Sequence, residues 1–277
     1  MKREEIRIRD PFIYADKKTK TYYMYGTING GASDSKFYVY TSKDLEEFEG
    51  PFVIFDGKKE NFWATKDYWA PEMHEYKGKY YLFASVKEDN ESRATQIFVC
   101  DTLDGEFKPV SEKPATPKEW WCLDGTLCIE NEKPYIVFCH EWVQCKNGEI
   151  CAQELSSDLS TPIGKPFLLF TAKDNPHVHS VHGVNADDYV TDGPFLWKKD
   201  GKWKMIWSSF QNGKYAVFGA TAESIRGKWE HTDNLVDFDG GHGMLFETFD
   251  GVRKFALHSP NVCPNERAQF IDWKDRF

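Results

Sequence analysis

Little in this chain would suit a membrane, a nucleic acid or an oxidising compartment. No run approaches the roughly 20 consecutive apolar residues that a membrane-spanning helix needs, and the mean hydropathy is −0.61. Basic residues are in deficit: 35 Lys and Arg stand against 44 Asp and Glu over 277 residues, a formal net charge of −9. That balance repels a phosphate backbone and argues against nucleic-acid binding. The opening MKREEIRIRD is charged throughout and lacks the apolar core of a secretory signal, so a cytoplasmic placement is expected. Seven Cys, an odd number without paired spacing, give no disulfide framework. Five of them, Cys122, Cys128, Cys139, Cys145 and Cys151, crowd into one stretch. None has the two-residue gap of a zinc knuckle, and several sit in strand-like apolar runs, so they read as buried structural thiols and no metal site is expected. A G-x-S-x-G nucleophile elbow and a phosphate-cradling glycine loop are both missing, which weakens serine-hydrolase and nucleotide-enzyme readings. Long windows with a 3.6-residue apolar period are missing too, which disfavours crossover helices.

Aromatic residues, by contrast, are abundant. Ten Trp, 13 Tyr and 21 Phe make up 16% of the chain and recur in short strand-like clusters. One unit appears five times: a polar or small-residue turn, an apolar strand, a second turn and an aromatic strand. The copies are RDPFIYADKKTKTYYMYGT from Arg9, WAPEMHEYKGKYYLFAS from Trp69, LDGTLCIENEKPYIVFCHEW from Leu123, TDGPFLWKKDGKWKMIWSS from Thr191 and GHGMLFETFDGVRKFALHS from Gly241. With Asp10, Ala70, Asp124, Asp192 and His242 taken as equivalent points, the spacings are 60, 54, 68 and 50 residues. Each interval holds two further β-like runs, such as KFYVYTS from Lys36 and QIFVCDT from Gln96. Four strands per unit, repeated five times, predict an all-β, five-bladed β-propeller occupying residues 1–277 as a single domain.

A propeller fixes where chemistry can sit. The starts of the first strands and the ends of the second strands open onto one face, so Asp10, Trp69, Asp124, Asp192 and His242 share a rim with Ser85, His140 to Trp142, Ser208 and His258. Three Asp residues from three blades meet there, each directly before Pro or Gly. One such Asp is ordinary turn chemistry; three at one aromatic-lined mouth suit glycoside hydrolysis. In that reaction one carboxyl protonates the leaving oxygen and another activates water, and a third nearby raises the acid's pKa by repulsion.

These residues resemble glycoside hydrolase family 43, five-bladed propeller enzymes acting on arabinose- and xylose-containing glycans, over essentially the whole chain. The resemblance implies an inverting mechanism with Asp10 of RDPFIY as general base and Asp124 of LDGTLC as the carboxylate that tunes the acid and orients substrate. It places Trp69 of WAPEM against the sugar, and it puts His242 of GGHGMLF on the axial channel, where a calcium ion or water cluster often lies. No cofactor is required by the chemistry. The departure is in blade four, where the family's general acid is Glu before Gly-Pro or Ala-Pro and this chain reads TDGPFLW. Asp192 holds that position with a side chain shorter by one methylene, roughly 1.5 Å, when misplacements near 1 Å can cost about a hundredfold in rate.

Glu141 of CHEW is the substitute acid on the rim, or a sugar-contacting residue beside His140 and Trp142. In NPHVHSVHG, His177 and His179 alternate as on a strand, and His182 is the one expected to meet substrate or a catalytic carboxylate. The expected activity is release of arabinofuranosyl or xylosyl units from plant-type oligosaccharides. The alternative is a catalytically impaired propeller that binds glycans, followed by a propeller serving as a protein-interaction platform. Loops after Gly26 and after Tyr189 shape the mouth and hence sugar and linkage.

Overall fold

A computed structural model describes residues 1–28, 34–183, 186–275 and 277. The chain folds into five antiparallel sheets in sequence order. Blade one holds β1 (Arg9–Asp16), β2 (Thr21–Thr27), β3 (Lys36–Ser42) and β4 (Phe48–Asp56). Blade two holds β5 (Lys66–Tyr76), β6 (Lys79–Lys87), β7 (Ala94–Cys100) and β8 (Lys108–Pro109). Blade three holds β9 (Cys122–Glu130), β10 (Lys133–His140), β11 (Glu149–Leu155) and β12 (Pro162–Thr171). Blade four holds β13 (Asp192–Lys199), β14 (Lys202–Gln211), β15 (Lys214–Ala222) and β16 (Glu230–Asn234). The innermost strands touch in a closed round, β1 to β5 to β9 to β13 and on to the fifth blade, which returns to β1. This is the five-bladed propeller the repeats predict.

The fifth blade departs from the expected four strands. It has three: β17 (Gly241–Glu247), β18 (Arg253–Ser259) and β19 (Arg267–Asp272). The outer position beside β19 is taken by the start of the chain, where Arg7 bridges antiparallel to Arg267 and the Ile8 N–H donates to the Glu266 carbonyl at 3.2 Å.

The middle strands are buried on both faces because neighbouring blades cover them, which explains why they read as continuous apolar runs instead of alternating ones. TYYMYGT of β2 is buried at every position. Tyr25 there is fully enclosed and donates its hydroxyl to the Leu103 carbonyl at 2.7 Å, as a buried phenol must to offset its desolvation. Between blades three and four, Trp207, Phe218, Phe170 and Trp203 form one apolar cluster, and each such side chain contributes about 1.5–3 kcal/mol on burial. Cys122, Cys128, Cys139 and Cys151 are buried among these clusters, and all seven Cys are free thiols.

Two-residue turns close four of the hairpins: Lys77-Gly78, Asn131-Glu132, Asp200-Gly201 and Asn212-Gly213, all with positive φ at both residues. That turn matches the right-handed twist of the strands it joins. The single α-helical turn among the described residues, α1 (Trp142–Cys145), follows β10 directly. Among the described residues, no helix is long and apolar enough to cross a membrane.

Candidate active site

Every first strand carries the same irregularity near its start. In blade one, Arg9 pairs with Thr27 and Phe12 with Tyr25, so three steps on β1 match two on β2. The same slip recurs at Trp69–Glu72, Leu123–Thr126, Asp192–Phe195 and Gly241–Met244. A bulge of this kind bends the strand and re-aims a side chain. Its first residue is left-handed in all five blades: Asp10 (φ 54°), Ala70 (42°), Asp124 (54°), Gly193 (52°) and His242 (48°).

This geometry corrects the repeat alignment in blade four. Gly193, not Asp192, is equivalent to Asp10 and Asp124, and the spacings become 69 and 49 residues around it. Asp192 stands one residue earlier, in the place of Arg9, Trp69, Leu123 and Gly241. The offset has a steric reason: a Cβ on Gly193 would lie 2.7–2.8 Å from the His242 ring, so the bulge there takes glycine and the carboxylate comes from its neighbour. Gly241 is held to glycine in the same way by the Tyr215 ring, 2.6 Å from where a Cβ would be.

The bulge N–H groups are left without a ladder partner and find one on the preceding blade. Ala70 N donates to Thr27 Oγ1 at 2.8 Å, Asp124 N to Ser85 Oγ at 2.9 Å, His242 N to Ser208 Oγ at 2.8 Å, and Asp10 N to His258 Nδ1 at 3.2 Å. In the remaining seam Cys139 stands where a hydroxyl or imidazole stands elsewhere. Gly193 N donates instead to Asp124 Oδ2 at 3.0 Å. The same hydrogen bonds that close the ring thus fix the three carboxylates.

Asp10, Asp124, Asp192, Trp69 and His242 line one cavity of about 240 Å³, together with Arg7, Arg9, Thr27, Leu123, Tyr215, Cys263 and Glu266. His242 Nδ1 lies between two carboxylates, 3.4 Å from Asp10 Oδ1 and 3.6 Å from Asp124 Oδ2. Asp10 also accepts from Thr27 Oγ1 at 2.8 Å and faces His258 Nδ1 at 3.3 Å. Tyr215 donates to Asp192 Oδ2 at 3.0 Å, and its ring stacks on His258.

These surroundings divide the acids into opposite states. Burial alone would raise the Asp10 carboxyl, but His242 first, with His258 and Arg9 beside it, holds it well below the ordinary carboxylate range. Burial and the Asp124 charge push Asp192 up to about 7, against the pull of His242 and the Tyr215 hydroxyl. Asp124 is pushed up to about 6, by burial first and then by Asp10 and Glu72, with His242 and the Gly193 N–H opposing. Burial disfavours charge on His242, yet Asp10, Asp124, Asp192 and Glu72 raise its pKa. The arrangement holds one carboxylate ionised and one carboxyl protonated near neutral pH, which is the pair that acid–base cleavage of an acetal requires.

Two expected site residues lie elsewhere. Glu141 is buried beside the cavity without lining it, and its Oε1 accepts from Arg93. His182 is exposed, 3.0 Å from Asp188, with its ring against Trp142, and does not line the cavity. His177 and His179 take separate partners, Asp233 and the Asn212 N–H. Among the described residues, no group of three or more His, Cys, Asp or Glu is set to hold a metal ion. Among the described residues, a calcium ion, which takes six to eight oxygen ligands, would find no side-chain cage beside His242. Residues 29–33, in the loop after Gly26, lie outside the described residues.

Residue patterns gave no sign of Tyr215 or Glu266, since neither sits in a repeated turn. Arg9 was visible only as the neighbour of Asp10.

A family model, Glycosyl hydrolases family 43, matches residues 5–275. The chain belongs to glycosyl hydrolase family 43. Among solved structures, the endo-arabinase from Bacteroides thetaiotaomicron is 39% identical with a TM-score of 0.91, covering 99% of this chain and 98% of that one. The α-L-arabinofuranosidase from Lactobacillus brevis is 17% identical with a TM-score of 0.78, covering 99% and 95%, a likeness of fold alone. A probable arabinan endo-1,5-α-L-arabinosidase C from Aspergillus clavatus is 26% identical over 145 residues, 48% of this chain and 42% of that relative. That match thus spans less than half of the relative's length.

Proposed function

We propose that this glycoside hydrolase cleaves arabinofuranosyl linkages in arabinan-type oligosaccharides with inversion, using Asp10 as base, Asp192 as acid and Asp124 as the group that keeps the acid protonated. The observation that carries the reading is the divided protonation of carboxyls on one cavity: Asp10 held low by two imidazoles, Asp192 pushed up to about 7 by burial and Asp124. Asp192 gives its proton to the glycosidic oxygen as the bond breaks, and Asp10 takes one from the water that attacks the opposite face of the sugar. The ordinary acid of the family is Glu; here Tyr215 holds the shorter Asp192 in place from β15, the third strand of the same blade. No cofactor enters these steps. Calcium beside His242 would be held by an imidazole and water, and nothing is routed through it.

Arabinan is supported by the names of two relatives, an endo-arabinase and a probable arabinan endo-1,5-α-L-arabinosidase. Xylosyl release is the second substrate expected from the sequence. Release of single units, expected from the sequence, gives arabinose as product, whereas the internal cleavage in those names gives short oligomers.

The test is hydrolysis of nitrophenyl arabinofuranosides, xylosides and galactosides and of arabinan and xylan oligosaccharides, with products resolved by chromatography and their anomers by NMR. Asp10→Asn is expected to lower turnover by at least about a thousandfold while sugar binding persists. Full activity in folded Asp10→Asn would remove the base assignment. Sugar binding with silence across the panel would instead establish the impaired, glycan-binding propeller.

A further inference from the structure

We propose that Arg93 is a positioning residue of the sugar cavity, holding the Trp69 indole as a fixed wall and thereby setting affinity for the bound glycosyl unit. The inference rests on the glycosidase reading above. Arg93 precedes β7 in ESRATQ, outside every repeated motif, and is buried. Its guanidinium lies 4.1 Å from the centroid of the Trp69 ring, and Trp69 lines the cavity with Asp10, Asp124 and Asp192.

The guanidinium is not free to leave that ring. Asp67 Oδ2 accepts from Nε at 3.1 Å and from Nη2 at 2.8 Å, and Glu141 Oε1 accepts from Nη1. Asp67 belongs to β5 and Glu141 follows β10, so the cation is anchored from two blades at once. Three N–H groups of one rigid plane are therefore claimed, and the plane in turn covers one face of the indole. A wall fixed before the ligand arrives spares the cost of ordering it on binding. Lysine could supply the charge between the two carboxylates but neither the fork nor the plane.

The measurement is the affinity for arabino-oligosaccharides by calorimetry, made in the Asp10→Asn protein so that no turnover intervenes. Arg93→Lys, which leaves a cation between Asp67 and Glu141, is expected to weaken binding about three- to tenfold. Its effect must pass through the indole: added to Trp69→Ala, it is expected to weaken binding no further than Trp69→Ala alone. In the hydrolytic protein, Arg93→Lys raises KM by a similar factor and leaves kcat within about twofold, because the reacting carboxyls are untouched. Unchanged affinity in Arg93→Lys, or losses that multiply with those of Trp69→Ala, would overturn the proposal. Where circular dichroism shows Arg93→Lys unfolded, Asp67→Asn replaces it. That variant loosens the fork, keeps the Glu141 bond, and is judged by the same dependence on Trp69. A chain with Arg93 and Trp69 intact that binds no sugar and hydrolyses none removes the glycosidase reading, and the proposal with it. One that binds sugar equally well with Arg93→Lys defeats the proposal alone.

Discussion

At the scale of the residue, the site is a problem in placing charge. Asp10 is ionised at any working pH because His242 and His258 face it, while Asp192 stays protonated until about pH 7 because burial and Asp124 oppose its charge. Cleavage needs both states together, so kcat/KM is expected to hold a plateau on the acidic side and to fall about tenfold per pH unit above roughly 7. A rate profile from pH 4 to pH 9 checks this, and a profile that rises through pH 7 would reverse the assignment of the acid. The same shift bears on stability. The folded chain binds the Asp192 proton more tightly than the unfolded chain does, so stability is lost as pH climbs from the unfolded value near 4 to about 7. Asp192→Asn removes that cost and is expected to melt a few degrees higher than the Asp192 protein at pH 8. The difference should vanish near pH 4. Thermal scans at the two pH values decide it. Asp10 and Asp124 were legible in sequence because each marks a turn before Pro or Gly. Tyr215 was not, since its hydroxyl reaches Asp192 from a third strand and no local pattern records that distance.

At the scale of the element, the bulge repeated in five strands does the positioning. Its left-handed first residue would ordinarily be glycine; here three of the five places hold Asp10, Asp124 and His242, and the strain is tolerated where their side chains turn into the channel. Each bulge N–H leans on the blade before it. Ser85→Ala leaves the Asp124 N–H buried and unpaired and is expected to cost about 1–3 kcal/mol, with a drop in kcat because Asp124 loses its register. Urea unfolding and steady-state rates on one preparation test both, and an unchanged midpoint would show that water or a neighbour replaces the hydroxyl. The repeat was visible in RDP, WAP, LDG and GHG. Blade four misled by one residue because TDGP offers both Asp and Gly to the same position. Only the conflict between a Cβ and the His242 ring decides between them.

At the scale of the whole molecule, ring closure and the proposed chemistry use the same residues. The fifth blade lacks a fourth strand, and the start of the chain fills the gap: Arg7 bridges to Arg267, and the Arg267 guanidinium donates to the Glu4 carbonyl at 2.7 Å. Composition and repeat counting could not show this, because the closing segment is charged and far in sequence from the strand it joins. Glu266 is the knot. Fully buried, it faces Arg7 Nε at 3.3 Å and Arg9 Nη1 at 3.1 Å, and it lines the same cavity as Asp10, the proposed base. Burial opposes its charge, but the two guanidinium groups and a backbone N–H hold its pKa below the usual value. Its contribution is therefore present above the ordinary Glu range and lost as pH falls. Glu266→Gln keeps the shape and removes the charge. The partners are partly solvated, at 21% and 29% exposure, so the expected loss is about 2–3 kcal/mol, below that of a fully enclosed pair. The urea midpoint should fall with the slope unchanged, because the ring opens as one body when its closing seam weakens. An unchanged midpoint would mean that the apolar contacts of β1 with β17 and β18 close the ring without help. A second, earlier transition would mean that the first residues detach alone. In the expected case turnover falls as well, since Arg9 stands beside Asp10 and loses the carboxylate that anchors it.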